Sequence, residues 1–278
     1  ALEVLEKILS MDPGNEKYTT RNIPKVVGGV TPRCGKMAAA LYSGVMERVH
    51  PVSNAAAAEM VKLLENTFRS VNIGLVNEIA LMANQMGIDI WEVIEAAKTK
   101  PFGFMPFYPG PGIGGHCIPL DPFYLSWKAK QFGFESRFIE LAGVVNGQMP
   151  HYTVDRVGEA LNRFRKPING SKVLVLGVAY KKNISDVRES PALDILHLLR
   201  KKGAVLSYCD PHVPEVRDGV IDLKASPFSA ATLRKADCVL VVTDHSAFDY
   251  KMVWREAKVV VDTRNAMKGL NGRKVVKL

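Results

Sequence analysis

The spacing of apolar residues changes character three times along the chain. The first ten residues set Leu2, Leu5, Ile8 and Leu9 on one side of an expected amphipathic helix. A loop over 11–20 and one short strand over Lys25–Gly28 follow. Thr31 and Pro32 then open a helix through Met37, Leu41 and Val45 to about Arg48, with proline in its first turn. A single strand makes no sheet, so residues 1–53 read as an incomplete α/β domain.

From Asn54 to about Gly87 the apolar positions wrap most of a helix circumference, with Ser53 or Asn54 as the cap and a glycine at the end. Such a rod, about 50 Å long at 1.5 Å per residue, suits a domain connector or a dimer spine. A helix over Ile90–Lys98, a Pro/Gly-rich loop over Pro101–Pro122 and helices starting near Pro122 and Glu135 complete a helical unit, 54–167. After Pro167 the pattern alternates: strand Lys172–Gly177, helix Pro191–Lys202, then strands Val205–Cys209, Asp237–Thr243 and Lys258–Asp262. That alternation predicts a doubly wound parallel sheet for 168–278. The expected fold class is α/β: two Rossmann-like units, the first incomplete, joined by a helical central domain with a long connecting helix.

Charge narrows the choice of ligand. Lys and Arg total 37 against 28 Asp and Glu, a net +9 dispersed along the chain, which suits an anionic ligand. No helix-turn-helix, zinc-finger or RNA-binding signature accompanies it, so nucleic acid is not the expected partner. Cys34, Cys117, Cys209 and Cys238 lie far apart without a C-x-x-C pair, which points to a reducing cytoplasm and away from a metal site or disulfide framework. No run reaches the ~20 apolar residues of a membrane span, and no signal peptide opens the chain.

The sharpest chemical feature is Pro109-Gly110-Pro111-Gly112-Ile113-Gly114-Gly115-His116-Cys117-Ile118-Pro119-Leu120-Asp121-Pro122. Its glycines let the backbone approach a substrate closely and display Cys117 at the end of a turn. Cys117 is then either a nucleophile or a small buried thiol in a tight loop. Asp121, four residues on, is placed to orient a water or a base and favours the first. On the long helix Lys62 and Asn66 share one face at i, i+4 spacing. There they either stabilise a developing oxyanion or belong to a solvated stripe that continues through Arg69.

Further strings complete the pattern. Asp12-Pro13-Gly14-Asn15, Ile23-Pro24-Lys25-Val26-Val27-Gly28-Gly29, Glu59-x-x-Lys62-x-x-x-Asn66, Asn77-Glu78, the G-G-H-C-I-P-x-D-P loop and Lys181-x-x-x-x-Asp186-x-Arg188-Glu189-Ser190-Pro191 occur in that order. Together they resemble the UDP-glucose/GDP-mannose dehydrogenase family over essentially the whole chain. Pro101 to Phe104, Pro109 to Gly112 and Tyr124-Leu125-x-Trp127-Lys128 look most like its UDP-N-acetylglucosamine 6-dehydrogenases.

The resemblance implies an NAD-dependent enzyme, a homodimer or higher homo-oligomer, that oxidises the C6 hydroxyl of a UDP-sugar twice. Cys117 would carry the thiohemiacetal and thioester. Lys62 and Asn66 would steady the charged oxygens, and Asp121 would hold Lys62 or the hydrolytic water. Gly112 and Gly114 would shape the sugar loop, with Lys181 and Arg264 near the uridine diphosphate. Arg188 would either contact ligand or pair with Glu189 or Asp186. UDP-glucose and UDP-N-acetylmannosamine are the sibling substrates, and a truncated UDP-sugar-binding or dimerisation module without turnover is the other class. The family's opening G-x-G-x-x-G unit and its acidic Ser-Pro-Glu-Arg loop have no counterpart here. NAD-binding residues are therefore expected outside this sequence, and the turn Gly177-Val178-Ala179-Tyr180-Lys181 lacks the same fingerprint.

Overall fold

The computed structural model describes Thr19, residues 21–270 and residues 272–278. The expected opening helix and the Asp12-Pro13-Gly14-Asn15 string lie outside the described residues. The chain divides into two compact units, one ending at Phe68 and the other running from Arg69 to Leu278.

In the first unit β1 (Lys25–Val27) leads into α1 (Pro32–Ser43) and β2 (Val49–Pro51), and the two strands pair in parallel. Thr31 Oγ1 accepts the Cys34 N–H at 3.2 Å, and Pro32 supplies the preset φ of a first helical residue. The helix stops at Ser43 rather than running to Arg48. Gly44 disfavours helix, and the residues beyond it answer β1, so the expected lone strand has a partner.

The long helix α2 (Ala55–Gln85) follows. Asn54 Oδ1 caps it by accepting the Ala57 N–H at 2.8 Å. It ends where Gly87 adopts φ +71° and Ile88 N–H reaches back to the Ala83 carbonyl at 2.8 Å. In the second unit it is followed by α3 (Ile90–Ala97), α4 (Asp121–Lys130) and α5 (Arg137–Asn162). The α2 and α5 backbones come close at Gly74, where a β-carbon would stand 3.1 Å from Ala142 Cα.

The sheet takes β3 (Lys172–Leu176), β4 (Val205–Cys209), β7 (Cys238–Val241), β8 (Val260–Asp262) and β9 (Val275–Lys277) in the order β4-β3-β7-β8-β9, all parallel. A small antiparallel pair, β5 (Glu215–Arg217) and β6 (Asp222–Lys224), stands apart from it. Alternation along β3 sends Val173 and Val175 to a core shared with α5 and α6 (Pro191–Lys201). Leu174 and Leu176 go to the opposite core, under α7 (Ala230–Lys235) and α8 (Tyr250–Glu256). Both faces are covered, as a parallel sheet requires. Strand order reverses between β3 and β7, and open sheets of this kind receive ligands outside the carboxyl ends of strands at that switch point.

Candidate active site

The glycine loop that carries Cys117 is held from two sides. From the helices, Asn77 on α2 is fully buried and accepts the Gly110 N–H on Oδ1 at 3.0 Å. Its amide donates to Asn146 Oδ1 on α5 at 2.9 Å, and Asn146 in turn donates to the Ser70 carbonyl at 3.2 Å. From the sheet, a β-carbon at Gly110 would collide with the Arg264 guanidinium. One at Gly114 would stand 2.6 Å from Tyr180 Cβ and 2.7 Å from the Glu189 carbonyl. Gly112, at φ +137°, packs against Pro191 and Pro150. The loop is therefore glycine-rich because neighbouring side chains occupy the space its own would need.

Cys117 ends this run as an exposed free thiol. Its carbonyl accepts the Asp121 N–H at 2.8 Å and the Leu120 N–H at 3.2 Å, so the thiol stands one turn ahead of α4 and Asp121 opens that helix. Exposure separates Cys117 from Cys209 and Cys238, which are buried and whose thiols burial pushes up to about 11 and about 12.

At the sheet, Lys181 follows β3 and is half-buried. Arg264 follows β8, donates from Nε to the Val242 carbonyl at 2.8 Å, and has its backbone N–H on Asp262 Oδ1 at 3.0 Å. Burial weakens its hold on its proton, while Asp244 and Asp262 oppose that shift. A guanidinium stays charged regardless, and the fixed Nε leaves its planar head directed at the loop. Arg188 takes the pairing alternative with Asp186: Nη2 lies 2.6 Å from Oδ2 and Nε 2.9 Å from Oδ1. Arg188 holds the Asp186 carboxyl below the usual carboxylate range.

Lys62 and Asn66 belong to the first unit, where α2 keeps them on one face. Lys62 is half-buried with Nζ 3.9 Å from Glu65 Oε2, and Asn66 is fully buried. A fully buried amide, like that of Asn77 further along α2, is the stronger of the two signals.

The turn after β3 is closed by a residue that no motif marks. Asp210, at the end of β4, accepts the Val178 N–H at 2.7 Å and the Ala179 N–H at 3.2 Å. His245, just past β7, reaches the same carboxylate with Nε2 at 3.0 Å. The signal available in the sequence is position alone: Asp210 directly follows β4, and His245 stands four residues past the end of β7. Among the described residues no cluster of His, Cys, Asp and Glu could hold a metal ion, and no helix is long and apolar enough to cross a membrane.

Residues 56–148 match the central domain of the UDP-glucose/GDP-mannose dehydrogenase family, and residues 174–269 match its UDP binding domain. The chain is 38% identical over 246 residues to an NDP-N-acetyl-D-galactosaminuronic acid dehydrogenase of Ralstonia solanacearum, covering 86% of this chain and 55% of that protein. It is 34% identical over 239 residues to a UDP-N-acetyl-D-glucosamine 6-dehydrogenase of Pseudomonas aeruginosa, covering 86% and 56%. Among solved structures, a UDP-D-ManNAc dehydrogenase from Pyrococcus horikoshii superposes with a TM-score of 0.81 at 32% identity, over 92% of this chain and 60% of that one. The chain thus spans a little over half the length of the relatives it matches.

Proposed function

Since the chain belongs to the UDP-glucose/GDP-mannose dehydrogenase family, we propose that it carries the cysteine and the nucleotide-binding side of an NAD-dependent UDP-sugar 6-dehydrogenase. The observation that carries this reading is the clamp on the glycine loop. The exposed Cys117 stands at the end of a loop on which Arg264 and Tyr180, the latter next to Lys181, converge from strand ends of the matched UDP-binding domain. A sugar diphosphate lying along that loop would have its phosphates at the cations and its sugar toward the thiol.

Two oxidations convert a C6 alcohol to a carboxylate, and a free aldehyde between them would escape or hydrate. The Cys117 thiolate adds to the aldehyde carbon, and the resulting thiohemiacetal is the species oxidised next, to a thioester. Water then cleaves the thioester and returns the thiolate. By the family resemblance Lys62 and Asn66 would stabilise the alkoxide and the tetrahedral oxyanions, and Asp121 would orient the lysine or the hydrolytic water. Gly112 and Gly114 give the sugar its close backbone approach. Arg188, paired with Asp186, fixes the loop after β3, and its exposed guanidinium keeps a face for the ligand.

NAD, when bound, accepts the hydrides. The residues described here do not fit it: the one G-x-G-x-x-G spacing, Gly110 to Gly115, lies in the Cys117 loop between two helices rather than at a strand-to-helix turn, and the turn after β3 spends its amides on Asp210. The proposed arrangement is three parts, 1–53 as the remnant of an NAD-binding domain, 54–167 as the helical catalytic and dimerisation domain, and 168–278 as the UDP-binding domain. On α2, Met60, Leu64 and Phe68 are exposed in the first unit and Leu75 and Met82 in the second, which supports a homodimer, since exposed apolar residues at helical spacing mark interfaces; the free, well-separated cysteines favour a cytoplasmic setting. For the sugar, relatives named for three N-acetylated hexosamine derivatives lie at similar identity, which favours an N-acetylhexosamine over glucose. UDP-N-acetylglucosamine is our first choice, on the Pro101 to Gly112 loop.

The test is NADH formation by the protein expressed from its complete reading frame, on a panel of UDP-linked N-acetylglucosamine, N-acetylmannosamine, N-acetylgalactosamine and glucose. Two NADH per UDP-uronic acid on an N-acetylated sugar is expected. UDP binding without turnover on any of them would instead favour a binding module.

A further inference from the structure

The turn after β3 is shaped to hold an anion and already holds one of the protein's own. Gly177 turns the chain at φ +79°, in a place where any side chain would meet the Thr243 carbonyl. The turn aims the Val178 and Ala179 N–H groups at a single point. Successive amides at the end of a first strand form the concavity that takes a ligand phosphate in many doubly wound sheets. Here Asp210 Oδ2 occupies that point, at 2.7 and 3.2 Å. The other oxygen, Oδ1, accepts the His212 N–H at 2.8 Å and the Val213 N–H at 3.1 Å.

The fifth donor to this carboxylate sets the rest. The side chains of His245 and Asp210 are both fully buried, and Nε2 lies 3.0 Å from Oδ2. The other ring nitrogen, Nδ1, accepts the Asn183 N–H at 2.9 Å. An atom that accepts from an amide carries no hydrogen of its own, so the ring proton is on Nε2, aimed at the carboxylate. Val178 and Ala179 at one end and Asn183 at the other are thereby tied to one buried pair. Asn183 sits at φ +61°, donates from its amide to Ser246 Oγ at 3.0 Å and accepts the Ser246 N–H at 2.9 Å. Between the tied ends stand Tyr180, against Gly114 and Gly115, and Lys181.

We propose that Asp210 and His245 are positioning residues: a built-in carboxylate and a neutral imidazole that replace a ligand phosphate at the β3 turn and fix segment 178–183, so that Lys181 meets a nucleoside diphosphate and Tyr180 braces the Cys117 loop. The part concerning Lys181 rests on the diphosphate reading given above. The anchor itself rests on the hydrogen bonds alone.

Two substitutions separate the two halves of the imidazole's task. His245→Asn keeps an acceptor where Nδ1 stands and gives up the donor to Asp210, whereas His245→Gln keeps the donor and gives up the acceptor for Asn183. With UDP as the titrant in calorimetry on the 278-residue chain, the Gln variant should bind on the order of tenfold more weakly and the Asn variant within about threefold of the parent. A merely structural role would lower the thermal midpoints without separating the UDP affinities. Equal UDP affinity in all three folded proteins, or equal loss in both variants, overturns the proposal. Should the Gln variant not fold, amide hydrogen exchange in the parent decides: Val178, Ala179 and Asn183 are expected to be as protected as β3, and open-loop exchange at them overturns the anchor. If the parent binds no UDP, the diphosphate reading falls. The anchor then stands only if Asn183 loses protection in the Gln variant and keeps it in the Asn variant.

Discussion

Replacing Asn77 with leucine would test how firmly the glycine loop is held from the helices. The two side chains share one branched shape and the same number of heavy atoms, so the change is chiefly one of hydrogen bonding. Asn77 is fully buried, and its loss strands the Gly110 N–H, now 3.0 Å from Oδ1, and Asn146 Oδ1, now 2.9 Å from Nδ2. Each stranded buried group costs about 1–3 kcal/mol, and apolar burial of the new leucine offsets roughly 1–2 kcal/mol. The net loss should be about 1–4 kcal/mol. For a unit the size of Arg69–Leu278 that amounts to a fall in midpoint of roughly 2–16 °C. Asn77→Asp keeps the acceptor for Gly110 but buries a carboxylate and sets an oxygen against Asn146 Oδ1, so it should destabilise as well. Urea unfolding followed by tryptophan fluorescence is the assay, with Trp91 buried on α3 as the reporter. In a double-mutant cycle with Asn146→Leu the pair should couple by about 1 kcal/mol, because the double variant no longer strands Asn146 Oδ1. A loss below about 0.5 kcal/mol for Asn77→Leu, or strict additivity in the cycle, would refute the reasoning.

Further outcomes follow from the same geometry. Lys62→Ala should lower kcat much more than it raises KM in steady-state assays of the complete protein, since the charge it offsets exists mainly in the oxyanions; an effect confined to KM would make it a binding residue. Arg264→Ala should weaken UDP binding in calorimetry by on the order of tenfold or more, and UDP should bind the parent more tightly than NAD; the reverse preference would sink the assignment of the sheet. Asp237 accepts from Lys166 Nζ at 2.6 Å, Lys258 Nζ at 3.2 Å and the Lys172 N–H at 3.0 Å. Partial burial pushes its carboxyl up, but these donors outweigh that and hold it at about 2. A depressed folded value stabilises the fold above about pH 4 and is lost as pH falls through about 2. Asp237→Asn should therefore lower the thermal midpoint at pH 7 and differ less from the parent near pH 2.5; an equal gap at both values would contradict the linkage.

Sequence pattern reached the sheet and the long helix because period and length were unambiguous there. Val173 to Leu176 alternate between two cores, and α2 is stopped by Gly87 at positive φ as a terminal glycine implies. Pattern failed at β2, β5, β6 and β9, three-residue strands too short to carry a period, of which β2 became visible only through its pairing with β1. The glycine loop and the strand-end cation Arg264 stood out in the sequence because their residue types are constrained there, and the fold sets the two against each other. Asp210 and His245 did not, since a buried carboxylate and imidazole reveal their task only when the turn they hold is seen in three dimensions. Arg188 pairs in the fold with the carboxylate of Asp186 two residues away, a partner that one of its two readings named.

The most direct measurement of the central claim is the Cys117→Ser variant of the protein expressed from its complete reading frame, assayed for uronic acid formation alongside UDP-sugar binding. Serine is a far weaker nucleophile than a thiolate. Acid formation should fall by on the order of 10³-fold or more, with UDP-sugar affinity within about threefold of the parent, because the thiol is exposed at the end of the loop and does not hold the fold together. Turnover within about tenfold of the parent would contradict covalent catalysis at Cys117.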